Sequence, residues 1–246
     1  MHFWSCCSAF LLFIAPGYAL YNGNPALPKI PEEGFFIAKE AVLSLRGGYE
    51  GDLIFNRKMG PHANKFKIFE NFGALTFNFD EKVDLYADFG SFYAEIRKSD
   101  DLRRLQFQTR DGLTWKVGAR AILWDYGETF LTLHVAYQNA WAGFREIVLN
   151  GSPLARKGGR LFYQEVEGSL SVGHQIDIFI PYLGIEGSYA RAKLHHLPME
   201  QIELHSRSPV GLFLGSGFSP GSKLMLNVEI RLIDDEAVAL SGEIRF

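Results

Sequence analysis

A chain of 246 residues has room for one large β domain or two small ones. Its formal charge is −3, and no basic patch large enough to follow a nucleic-acid backbone is visible, which excludes a nucleic-acid partner. Twenty-five glycines, and 21 phenylalanines within an aromatic content of 14%, favour strands and tight turns over helices.

The chain begins "MHFWSCCSAFLLFIAPGYAL". The apolar stretch from Ala9 to Ala15 is too short to cross a bilayer as a helix. Gly17 and Ala19 have the small-x-small spacing of a secretory cleavage site, so residues 1–19 read as a signal peptide cut between Ala19 and Leu20. Cys6 and Cys7 leave with it, and no disulfide can hold the remainder together. No later apolar run reaches the roughly 20 residues of a membrane helix. An exported, strand-rich chain of this kind is a soluble β protein or an outer-membrane barrel.

Residues 20–40 contain "YNGNPALPKIPEEGFF", whose three prolines keep the backbone extended and out of a sheet interior. The segment reads as a periplasmic tail, with a partial plug or a contact for another envelope component as alternatives. The barrel is expected over 41–246.

From residue 41 the chain alternates. Leu43, Leu45, Tyr49, Leu53 and Phe55 lie on one row, and Ser44, Arg46, Glu50, Asp52 and Asn56 on the other. That pattern is longer than the usual soluble strand of about five or six residues and suits a tilted membrane strand. It recurs in "LTWKVGARAILW", "TFLTLHVAYQ" and "KLMLNVEIRLID". Ten strands are expected, near 41–56, 64–80, 82–96, 112–125, 128–139, 160–174, 177–192, 208–217, 222–233 and 236–246. Pairing by "RRLQFQT" (103–109) would raise the number to twelve.

The connections alternate too. "DEK", "DYGE", "HQI" and "SPGS" are short turns, and longer polar segments fall near 57–63, 97–111, 140–159 and 193–207. Short periplasmic turns and long outer loops mark bacterial outer-membrane barrels. The fold class is therefore all-β: a transmembrane antiparallel up-and-down β-barrel, closed because hydrocarbon offers no partner to a free sheet edge.

Strand parity assigns an inward, pore-lining row of Arg46, Glu50, Asp52, Asp84, Asp88, Lys116, Arg120, His134, Glu165, Glu167, Glu186, Glu229, Arg231, Glu243 and Arg245. Acids outnumber bases in it, so an open lumen would favour cations. The chain ends "VALSGEIRF", with Val238, Leu240, Ile244 and Phe246 on the outward row. Phe246 falls where an interfacial aromatic girdle sits. The ending resembles the C-terminal assembly signal of bacterial outer-membrane proteins, which implies the outer-membrane assembly machinery as a partner.

"LYNGNPALP", "GGYEGDLIFNR", "VDLYADFG", "TWKVGARAILWDYG", "PYLGIEGSYARA" and "VEIRLIDDEAVALSGEIRF" together resemble, in the same order, successive segments of the chlamydial major outer membrane protein family. The resemblance implies an outer-membrane β-barrel porin. Members of that family are cysteine-rich, disulfide-linked and longer, whereas this chain has no cysteine after residue 7. Envelope cross-linking is therefore not carried over.

Other constellations carry less. His195, His196 and Glu200 lack a well-spaced further ligand and read as a solvated loop, so no metal site is assigned. Asp84, Asp88, Glu165 and Glu167 could serve as a carboxylate cluster but have no convincing nucleophile beside them. "GSGFSPG" opens no helix and is not a phosphate loop, and no cofactor is implied. Three functions are compatible with this pattern: a diffusion channel for small solutes and ions, a closed structural or adhesive barrel, and a barrel enzyme. The channel is favoured by the resemblance. Outer-membrane lipid and a homo-oligomer are the remaining expected partners.

Overall fold

Alternating apolar and polar side chains settle almost the whole sequence after residue 42 into strands. A computed structural model describes residues 21–29, 43–60, 63–100, 103–154, 158–195, 202–207, 209–221, 224–233 and 235–246. The expected signal peptide and its cut at Ala19 and Leu20 lie outside the described residues, as do His196 and Glu200.

Fourteen strands form among the described residues. They begin with β1 (Leu43–Arg57), β2 (Met59–Gly60), β3 (Ala63–Phe79), β4 (Val83–Asp100) and β5 (Arg103–Thr109). Next come β6 (Gly112–Tyr126), β7 (Thr129–Leu149), β8 (Ser152–Pro153), β9 (Arg160–His174) and β10 (Phe179–His195). The chain finishes with β11 (Ile202–Ser206), β12 (Val210–Gly221), β13 (Leu224–Leu232) and β14 (Asp235–Arg245).

Ten of these close into a ring in which every seam is antiparallel: β1, β3, β4, β6, β7, β9, β10, β12, β13, β14 and back to β1. The last seam pairs Arg46 with Arg245 and Tyr49 with Gly242, so the two ends of the barrel sequence lie side by side. Phe246 extends it: its amide donates to the Leu45 carbonyl at 3.0 Å. Its ring lies over Gly47, where a Cβ would stand only 2.7 Å away. The terminal aromatic fills the side-chain space of Gly47, so a larger residue there would have to displace the ring.

Segment 103–109 does pair, as β5, but it adds no lane. It bonds β4 through Glu95–Asp100 and β7 through Phe144–Leu149, directly beyond the point where β6 begins. One lane of the ring is thus β6 near the turns and β5 near the loops. In the same way β11 continues the lane of β12 along β10. Beyond the short β13–β14 hairpin, β11 pairs directly with β2. The ring therefore narrows from ten lanes to eight at its loop side.

The segments near 97–111, 140–159 and 193–207, expected as polar loops, are largely strand. The reason lies in their inner rows, since Leu105, Phe107, Ala142, Phe144, Ile147 and Leu204 are buried while their neighbours face outward. Strands of 15 to 21 residues exceed the roughly 9–11 that a tilted membrane strand needs. The excess rises on the loop side.

Outside, the spanning strands carry exposed apolar residues such as Leu75, Leu85, Val135, Leu170, Leu183 and Leu240. Aromatic residues border this belt at both ends. Tyr126, Phe179, Phe218 and Phe246 lie toward the turns, with Phe89, Trp141 and Tyr189 toward the loops. Exposed hydrocarbon framed by aromatics is the pattern of a lipid-facing barrel wall.

Candidate functional site in the barrel lumen

All fifteen residues assigned inward by parity lie on the inner face and are buried, from Asp52 at 0% exposure to Glu243 at 7%. Sequence parity missed Glu70, Arg57 and Asp235, which are buried beside them. Arg57 escaped because it falls in the polar segment expected near 57–63, and because a bulge between Ile54 and Asn56 switches the parity of β1. Glu70 escaped because the loop-side half of β3 puts Phe66 and Ile68 inside and leaves Lys65 and Lys67 outside. Counted this way, the buried described residues include eleven acids against six Lys or Arg.

The lumen is layered. Its middle is a web of charge. Arg46 meets Asp84 at 2.5 Å and Glu243 at 3.3 Å, and Arg120 also reaches Asp84 at 3.5 Å. Lys116 bonds Glu50 and stands 3.2 Å from Asp88. Arg231 lies 3.2 Å from Asp235 and 3.7 Å from Glu167. Arg57 bonds Glu165 and donates to the Tyr163 hydroxyl at 3.0 Å and to Ser188 at 2.6 Å. His134 stacks on Tyr86, and Nε2 and the phenol oxygen are 2.5 Å apart. Burying so much charge is tolerable because most of these groups are paired. Asp52 is the exception: it is fully buried, and neither carboxylate oxygen has a hydrogen-bond partner.

At the turn-side mouth sit residues 21–29. The flexible-tail expectation gives way to a seated plug over this stretch, with Tyr21, Asn22, Asn24, Ala26 and Leu27 at no more than 1% exposure. The amides of Asn22 and Gly23 donate to the two oxygens of Glu229 at 3.0 and 3.3 Å. The Asn22 side chain donates to Glu186 at 2.5 Å, and Asn24 to Asn227 at 3.2 Å. Carbonyls of the segment accept from the barrel wall: Pro25 from Thr132 at 2.8 Å, Pro28 from Asn78 at 2.9 Å, and Leu27 from Arg46. A side chain at Gly217 would collide with Asn24, so the wall is hollowed where the plug enters. Tyr21, Ala26 and Leu27 pack with Phe130, Ile180, Met225 and Ala239.

At the loop side the lumen turns apolar. Ile54, Phe66, Ile68, Phe92, Ile96, Phe107, Phe144, Leu161 and Leu194 form one buried cluster. Across the lumen, Phe66 of β3 and Phe92 of β4 lie 5.8 and 5.7 Å from Tyr163 of β9. This collar coincides with the narrowing to eight lanes, about the number at which side chains alone fill a barrel.

A closed ring with an apolar exterior and a charged interior defines an outer-membrane β-barrel. The chain is similar, nearly end to end, to the major outer membrane porins of Chlamydia trachomatis. It is 19% identical to the serovar F porin over 374 residues, covering 93% of this chain and 95% of that one. It is 18% identical to the serovar E porin over 372 residues, with the same coverage. Those alignments are longer than this chain of 246 residues, so the porins carry insertions that it lacks. Among solved structures, the translocator domain of the autotransporter NalP from Neisseria meningitidis matches 84% of this chain and 89% of its own, with 11% identity and a TM-score of 0.43. No protein-family model matches the chain.

Proposed function

We propose that the chain is a porin-like barrel that passes small ions, cations ahead of anions, and that the described conformation is its occluded state. The observation that carries this reading is the buried charge band, in which eleven acids face six Lys or Arg inside a closed ring. A wall of one dominant sign, bounded by low-dielectric lipid, concentrates counter-ions of the other. The end-to-end similarity to porins supports the same reading. No catalytic role is proposed, since the carboxylates Asp84, Asp88, Glu165 and Glu167 are occupied with Arg46, Arg120, Lys116, Arg57, Arg231 and Tyr163. Lipid, the assembly machinery, a homo-oligomer and the signal peptide over 1–19 belong to this proposal.

A second reading is favoured by one observation. The contacts of Phe66 and Phe92 with Tyr163 span the lumen, as expected of a closed structural barrel. Single-channel recording in a planar bilayer separates the two. The porin reading expects brief, small openings with a reversal potential showing preference for K⁺ over Cl⁻. Silence from verifiably folded protein would move the assignment to the structural barrel, and anion preference would refute the charge argument.

A further inference from the structure

Outside the barrel four strands share a similar order. Ascending β3 toward the loops, the outward row runs Phe77, Leu75, Asn71, Phe69, then Lys67 and Lys65. On β4 it runs Leu85, Phe89, Tyr93, Glu95, then Arg97. On β7 Leu133, Val135, Tyr137 and Trp141 precede Arg145, and on β10 Leu183, Ile185 and Tyr189 precede Arg191 and Lys193. Each of these four lanes carries a basic residue beyond its last aromatic, at a similar height.

Two of these bases are neutralised nearby: Arg97 by Glu95 at 2.6 Å, and Arg191 by Glu203. Lys65 and Arg145 have no acidic partner within ion-pair distance among the described residues, while Lys67 and Lys193 stand opposite Glu95 and Glu203 in the sheet without a salt bridge to them. The opposite end leans the other way: its turns hold Asp80, Glu81, Asp125, Glu128 and Asp177 against Lys82 and Lys29, which pair with Asp80 and Asp125. The bases absent as a patch in the linear sequence are thus gathered by the fold into a band around one rim.

We propose that this band binds the phosphate groups of anionic glycolipid in the outer leaflet. Aromatic side chains such as Tyr93, Trp141 and Tyr189 settle at headgroup level, which places the next residues along each lane among the lipid phosphates. Lys and Arg there gain from phosphate charge, and the outward rows carry few acids to compete. Charge complementarity and height in the membrane therefore name the same occupant. The rim is separate from the lumen and does not depend on whether the barrel conducts.

The test uses the full chain, refolded in nonionic detergent, with diphosphoryl lipid A as probe and phosphatidylcholine as the neutral-headgroup control. Bound lipid is counted by native mass spectrometry, and folding is checked by heat-modifiable gel migration. The parent should retain lipid A in preference to phosphatidylcholine, less so as salt rises. A basic residue near an anionic surface contributes about a fivefold change in partition, so Lys65→Gln, Lys67→Gln and Arg145→Gln together should weaken retention roughly a hundredfold. Lys82→Gln, at the turns, should leave it unchanged. If the triple variant fails to fold, Lys67→Gln alone should still show about a fivefold loss. Undiminished retention by the folded variants, or equal retention of phosphatidylcholine, would overturn the proposal. Displacement of lipid A by an equal concentration of inorganic phosphate would also overturn it, reassigning the band to free anions.

Discussion

Asp52 and Phe246 show two kinds of residue-scale commitment. Asp52 is fully buried with both oxygens unbonded, and an unsatisfied buried polar group costs about 1–3 kcal/mol, more when charged. Asp52→Asn keeps the shape and removes the charge, so it should raise the denaturant midpoint for unfolding by an amount equivalent to about 1 kcal/mol or more. The same change should lower K⁺ preference in a conducting barrel, so that stability and selectivity move in opposite directions. A midpoint that falls would mean the charge is compensated inside the lumen. Phe246 contributes a backbone bond to Leu45 and a ring over Gly47, both at the closing seam. Deleting it should reduce the heat-modifiable folded fraction severalfold. Arg245→Gln should do less harm, because Arg245 stands directly opposite Arg46 and like charges facing each other across a pair are unfavourable. Equal damage from both changes would remove the special place of the terminal aromatic.

At the scale of elements, the plug and the collar are in series. Residues 21–29 close the turn-side mouth through hydrogen bonds to Glu229, Glu186, Asn78 and Thr132. The apolar collar closes the other side mainly by packing of Phe66 and Phe92 against Tyr163, whose hydroxyl accepts from Arg57 of β1. Deleting residues 21–29 leaves every seam of the ring intact, so the barrel should still fold. Conductance should rise only modestly, because an apolar constriction resists wetting. Adding Phe66→Ala and Phe92→Ala to the deletion should raise it much further. A large rise from the deletion alone would show that the collar is no barrier. The sequence made much of this legible. Period-2 patterning located all ten lanes, residue for residue in β9 but ten residues short at the loop end of β7, and placed every candidate charge on the inner face. It failed where the solvent changed. Above the bilayer the outside is wet and the inside dry, so Lys65 and Lys67 face out, and Phe66 and Ile68 face in. The pattern predicts strand there, within 64–80, but a parity rule tuned to lipid does not show that the charged row faces out, and it reads the like stretches near 97–111 and 140–159 as polar loops. Arg57 was hidden by the polar segment expected from residue 57 onward, and the bulge at Ile54 and Asn56, a register change that no periodicity reveals, kept parity from recovering it.

For the whole molecule, the seam between β1 and β14 joins residues from opposite ends of the barrel sequence. Contacts so distant along the chain repay the entropy of closing the loop only after the rest is in place, which slows folding. Residues 21–29 reach across the ring. They touch β3 at Asn78, β7 at Thr132, β10 at Glu186 and β13 at Glu229, so one short stretch contacts lanes spread around the ring. A segment that gathers separated strands before the final seam zips shortens the search for closure. A plug that docks before that seam would serve as a template that the mature barrel keeps inside itself.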